Sequence, residues 1–261
     1  MEKSLMADIN YLKRLIVTTA ASAHEGHIAS AFSCLDILAV LYDKVLNVDI
    51  KNVKNPDRDR FILSKGHASL GLYVVLAAKG FFKEEELKNF GKFESKFGGH
   101  PDCHKVPGVE ASTGSLGHGF PISVGLALGL KIKKSKSKVF VMIGDGECNE
   151  GTVWESALLA SHHQLTNLCC IVDHNHSTDR ALIIDDLRAK FEAFGWESCC
   201  IDGHDQGEIL KALRGFPVSK PLVIIAKTVK GRGCAMMENN PAWHHKFPTQ
   251  EEFSKIMEEL Q

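Results

Sequence analysis

The chain has 261 residues, enough to bury one good hydrophobic core. Its formal net charge of −1 gives no general attraction to nucleic acid or to an anionic membrane surface. No apolar run approaches the roughly 20 residues of a membrane span, and residues 1–4 open no signal-peptide core, so a cytoplasmic protein is expected. Eight cysteines include no CxxC pair, and neither a zinc site nor a redox motif is indicated. Cys169-Cys170 and Cys199-Cys200 fall in predicted strands and read as small buried apolar residues.

Leu5, Ile9, Leu12, Leu15, Ile16 and Thr19 recur at helical spacing and predict a helix over 5–21. A second helix is predicted over 33–46, with Ser33 as N-cap and Asp36 in the first turn. Residues 47–60 are polar and read as an exposed loop. Phe61-Ile62-Leu63 is a short strand ending in Ser64-Lys65-Gly66-His67. The helix that follows closes at Gly80, and a short charged helix covers 83–90.

Residues 91–119 are rich in glycine and proline and have little periodicity, which reads as a loop ordered around a ligand. A small-residue helix follows over 120–131, where Gly125 and Gly129 permit close packing, and then a lysine-rich surface turn over 131–138. Residues 139–143 form a strand, 151–165 a helix and 167–173 a second strand, a βαβ unit whose strands run parallel. A turn and amphipathic helix over 179–194 lead to strands at 197–201 and 222–226 around a helix at 206–214. A Gly- and Asn-rich tail over 227–245 precedes a last polar helix at 250–260. This alternation predicts one α/β domain over 1–261, a doubly wound, mostly parallel sheet with helices on both faces.

The chemistry concentrates at the ends of the βαβ strands. Asp145 follows one strand and Asn175 the next, at the carboxyl edge where open parallel sheets bind ligands. A carboxylate and an amide oxygen there are hard ligands suited to Mg²⁺ or Ca²⁺. Gly144 and Gly146 let the backbone approach a phosphate. Taken alone, Gly-Asp-Gly equally describes a strand-end turn.

Gly144-Asp145-Gly146 with Asn175 resembles the diphosphate-binding motif of thiamine-diphosphate enzymes, and GDGECNEG resembles the transketolase family in particular. Further stretches are similar to that family: residues 58–68 around Ser64-Lys65-Gly66-His67, Gly99-His100-Pro101, the run 107–117 ending in Ser112-Thr113-Gly114-Ser115-Leu116-Gly117, and 238–244 ending in Trp243-His244. The resemblance runs in order through nearly the whole chain. It implies the thiamine-diphosphate-binding fold and Mg²⁺, with Ca²⁺ or Mn²⁺ as substitutes, held by Asp145, Asn175 and the carbonyl of Ser177. It implies that His67 and His244 reach the diphosphate. His27, His100 and His244 would line the sugar channel and carry protons. Gly114, Ser115 and Leu116 would run beneath the cofactor, Gly146 and Glu147 would contact it, and Glu150 would join a carboxylate network between two active sites. Glu150 also reads as an ordinary helix N-terminal acid.

Full-length transketolases carry a second, pyrimidine-binding domain that this sequence does not match. The resemblance therefore implies an N-terminal subunit that transfers a two-carbon ketol unit between sugar phosphates only with a C-terminal-type partner, in an α₂β₂ tetramer. The sequence departs from the family pattern at Ile28-Ala29 where Pro-Gly is usual, with His24-Glu25 before it, at His118, and at His245 where glycine is usual. A sulfonated or branched ketose phosphate donor, a non-catalytic cofactor-binding or regulatory role, and another thiamine-diphosphate enzyme remain alternatives.

Overall fold

Five short apolar runs build one sheet in the computed structural model, which describes residues 4–217 and 219–261. The reading of residues 1–3 lies outside them. The strands are β1 (Arg60–Leu63), β2 (Val139–Gly144), β3 (Leu168–His174), β4 (Glu197–Asp202) and β5 (Leu222–Lys227), in the order β1-β2-β3-β5-β4. Every pairing is parallel, so the sheet is wholly parallel where the sequence predicted mostly so. Parallel sheets need cover on both faces, which is why β2 is buried at every position.

Alternate residues feed two cores. Phe140, Met142, Cys169, Ile171 and Ile224 pack with α1 (Ile9–Ala23), α2 (Ile28–Val40), α3 (Ser69–Lys79) and α7 (Gln206–Arg214). Val141, Ile143, Cys170, Val172 and Val223 pack on the other face with α4 (Gly119–Ile132), α5 (Gly151–His162) and α6 (Leu187–Ala193). The last helix, α8 (Gln250–Glu259), lies over α1 and carries a reciprocal Thr249–Glu252 capping box. Among the described residues no helix is long and apolar enough to cross a membrane.

Three expectations are corrected. The second helix begins at Ile28, not Ser33, and all 13 residues of α2 are buried. With no polar face, nothing in the hydrophobic pattern marks its start. Ser33 is therefore no cap; its hydroxyl donates to Asp173 Oδ1 at 2.7 Å. The helix then widens into a π-helical turn, Leu41–Val45. Finally, Cys169 and Cys170 are buried as expected, but Cys199 is half-buried and Cys200 exposed, because β4 is an edge strand.

Candidate active site

The carboxyl ends of β1, β2, β3 and β5 converge, as strand register requires: Gly144 lies beside Asp173, and Asp173 beside Ala226. At their centre is Asp173, fully buried. Its carboxylate accepts hydrogen bonds from Lys65, Thr228 and Ser33, and from Asn175 Nδ2 at 3.2 Å. Burial works against its charge, yet the Lys65 ammonium and these donors hold the carboxyl below the usual range. The sequence reading missed this pair entirely. Its signal was a lysine two residues past the end of an apolar strand.

Asp145 sits at the tip of β2, 3% exposed. Oδ1 accepts from the Gly146 amide at 2.7 Å, whereas Oδ2 is buried without any partner among the described residues. Burial and the nearby charge of Asp173 push this carboxyl up. Asn175, at the tip of β3, points its amide at Ser33 (3.1 Å) and accepts from the Ser177 amide through Oδ1 (3.0 Å), folding 175–177 into an Asx turn. An orphaned carboxylate oxygen at this edge, with an amide oxygen and a carbonyl-rich turn from the next strand, fits a hard divalent cation. Beside it a cavity of about 430 Å³ is lined by Asn175, Ser177, Arg180, Lys230 and His244.

The histidines gather here from distant segments. The His27 ring lies 5.3 Å from that of His67 and 5.5 Å from that of His244, and His67 stacks on His244 at 6.0 Å. His245, one of the departures from the family pattern, stacks on His27 at 4.5 Å. An isolated parallel bridge between His27 and Lys246 brings the tail to the start of α2. Lys230, which the sequence reading also missed, places Nζ 2.9 Å from His244 Nδ1. Burial lowers this lysine to about 8, so it stays cationic at neutral pH. It donates to Nδ1, which leaves the proton of a neutral His244 on Nε2.

The Gly-rich loop is ordered, as expected. Gly66 approaches it so closely that a Cβ there would lie 2.8 Å from the Gly114 nitrogen. Gly114, at φ +153°, leaves room for the His100 ring, which a Cβ would meet at 3.0 Å. Thr113 anchors the loop by donating to the Leu63 carbonyl at 2.6 Å. Ser115 is exposed and Leu116 half-buried. Glu147 turns inward: its carboxylate accepts from Ser64, from the Gly117 amide at 2.9 Å and from the Gly144 amide at 3.3 Å. It thus holds the Gly117 end of the loop against β1 and β2. Glu150 is exposed at the N-cap of α5, apart from the histidines, with no capping bond from its side chain.

Residues 4–260 match the family model described as transketolase, thiamine diphosphate binding domain. The chain belongs to the transketolase family. It is 43% identical over 254 residues to one of the subunits of apulose-4-phosphate transketolase from Actinobacillus succinogenes, covering 95% of this chain and 92% of that one. It is 33% identical to the 6-deoxy-6-sulfo-D-fructose transketolase subunit of a Clostridium species, over 98% of this chain and 96% of that one. Against human transketolase it is 37% identical over 99% of its own length but 42% of the relative's. The crystal structure of Campylobacter jejuni transketolase superposes with a TM-score of 0.91 at 33% identity, covering 100% of this chain and 43% of that one. The chain thus spans less than half of the full-length transketolases and nearly all of the separate subunits.

Burial within this transketolase site also predicts a pH dependence. His27 is pushed from 6.5 down to about 4, first by burial and then by its histidine neighbours. An unfolded imidazole binds its proton near pH 6.5, whereas the folded one resists until about pH 4. Stability contributed by the neutral ring is therefore complete above pH 6.5 and declines as pH falls toward 4. Urea midpoints should drop across that window, and His27→Asn should flatten the drop. An identical slope in the variant would contradict the assignment.

Proposed function

We propose that residues 1–261 form one diphosphate-binding domain that acts as the N-terminal subunit of a two-chain transketolase. With a pyrimidine-domain partner, it transfers a two-carbon ketol unit from a ketose phosphate to an aldose acceptor. The observation that carries this reading is the orphaned Asp145 Oδ2 at the tip of β2, beside the tip of β3 that carries Asn175. That oxygen lacks a partner in a dry position, and a divalent cation clamped to a diphosphate would satisfy it.

In this reading Asp145, Asn175 and the Ser177 carbonyl hold Mg²⁺, while Lys230, His67 and the Gly146 amide face the diphosphate. Gly114, Ser115 and Leu116 support the cofactor from below, and Glu147 positions that loop. Bound thiamine diphosphate supplies the electron sink for the carbon left when the donor's C–C bond breaks. The protein supplies the proton handling. His27, kept neutral by burial, is the base that takes the donor's hydroxyl proton as that bond opens. His244, with its proton on Nε2, donates to a sugar oxygen, and His100 at the exposed end of the channel orients the acceptor.

The partner reading rests on surface as well as length. Ile122 and Ile132 on α4 and Leu158 and Leu159 on the neighbouring α5 are exposed, and Gly125 and Gly129 face open space. Such a face suits a covering chain, and exposed Glu150 lies at its edge, available to a carboxylate network across an α₂β₂ assembly. A cytoplasmic setting fits the eight unpaired cysteines. Ketol transfer should be absent from the purified chain with thiamine diphosphate and Mg²⁺ and appear on adding a pyrimidine-domain chain; full turnover by the chain alone would refute the split.

A specialised donor is the second reading, favoured by the His245 ring stacked over His27 and by His24 packed edge-on against Phe247 at 5.2 Å. Rates with branched, sulfonated and unmodified ketose phosphates distinguish it, and a clear preference for xylulose 5-phosphate would remove it.

A further inference from the structure

A second cavity, of about 300 Å³, shares no lining residue with the cavity at Asn175. It opens between the π-helical turn after α2, the polar 47–60 segment and the stretch 103–110. Its apolar wall is built from Tyr42, Phe61, Phe81 and Pro107, with the Phe61 and Phe81 rings standing edge-on to Tyr42 at 5.8 and 6.4 Å. Asp49, Asp59, His104 and Lys105 stand on its polar side together with Arg58 and Glu110. The last two charges neutralise each other, since Arg58 Nη2 donates to Glu110 Oε2 at 2.9 Å and the other arm of the fork closes on Oε1. Arg58 Nε is also spent, donating to the Val53 carbonyl at 2.6 Å.

Tyr42 is the group left over. It is 4% exposed and lies in the π-helical turn, yet its hydroxyl has no hydrogen-bond partner among the described residues. Unlike the fully buried unpartnered oxygen of Asp145, this hydroxyl opens onto the cavity, where it can donate to a bound acceptor. Burial pushes its ionisation far up, so it remains an O–H donor at every physiological pH. π-helical turns recur at functional sites, where they re-aim a side chain that a regular helix would pack away.

We propose that this cavity is a binding site for a small, flat, ring-bearing molecule with a hydrogen-bond acceptor, which Tyr42 engages through its hydroxyl while the aromatic wall packs against its ring. The volume matches the lower end of small-molecule sites. The aromatic wall favours a flat apolar body. The site is independent of the transketolase reaction, so its test does not depend on that reading.

Benzamide, a neutral flat ring with a carbonyl acceptor, is a suitable probe. Calorimetric titration of the whole chain should show saturable binding, and crystals soaked in benzamide should place the ring against the wall formed by Phe61, Phe81 and Pro107, with its carbonyl oxygen on the Tyr42 hydroxyl. Tyr42→Phe deletes a hydroxyl with no protein partner, so folding should be kept while affinity falls about fivefold, the worth of one net hydrogen bond. Val48→Trp, from the same lining, should fill the cavity and abolish binding; should that variant misfold, Tyr42→Phe decides alone. Absence of binding by the native chain, equal affinity in Tyr42→Phe, or a soaked crystal with only water in the cavity would overturn the proposal.

Discussion

Replacing Lys65 with methionine is expected to remove about 3–5 kcal/mol of folding stability, the cost of stripping one partner from a buried ion pair. Lys65 is 1% exposed and Asp173 is fully buried, so neither charge can turn to water when the other is lost. The remaining partners of Asp173 are two hydroxyls and an amide, which stabilise a carboxylate but do not neutralise it. In Lys65→Met the aspartate must take up a proton or open the strand tips to solvent. The paired variant Lys65→Met with Asp173→Leu should recover much of the loss, because a matched apolar pair avoids the desolvation penalty. Urea unfolding of the two single variants and the double variant would measure the coupling. A loss below about 1 kcal/mol in Lys65→Met would mean that water already reaches the pair.

Asp145→Ala is expected to behave in the opposite way. The side chain is buried, one oxygen is orphaned, and burial together with Asp173 disfavours its charge. Deleting it forfeits one local hydrogen bond to Gly146 and relieves an uncompensated carboxylate. Stability without cofactor should therefore change by no more than about 1 kcal/mol. Affinity for thiamine diphosphate in Mg²⁺ should fall by about 100-fold or more, since loss even of groups behind a metal ligand costs 10–100-fold. The stabilisation that cofactor and Mg²⁺ add to the native chain should vanish with it. A variant that lost several kcal/mol without cofactor, or kept the cofactor-induced rise in Tm, would reassign Asp145 to the fold.

The contrast between these two acids explains what could be read from the residues alone. β2 and β3 were legible to within a residue or so because strands covered on both faces are near-continuous apolar runs. Asp145, Asn175 and the four histidines were legible because each ends an element or sits beside a glycine, and the structure brings His27, His67 and His244 to one place. The start of α2 was not legible, since a helix buried all round has no polar stripe to mark its phase. Asp173, Lys65 and Lys230 escaped for a related reason: a charged residue in a sequence reads as exposed, and only the tertiary fold shows that these three lie together out of water. Glu147 was read as a cofactor contact. Its carboxylate binds Ser64 and two backbone amides, which hydropathy cannot foresee.

The bridge between His27 and Lys246 has a consequence for biosynthesis. The imidazole wall is assembled from a segment near the beginning of the chain and one close to its end. Sheet and helices can form progressively as the polypeptide leaves the ribosome, but the pocket stays open on one side until Lys246 has emerged. A chain made only as far as the segment before Lys246 can therefore hold its sheet and most of its helices while one side of the imidazole wall is missing.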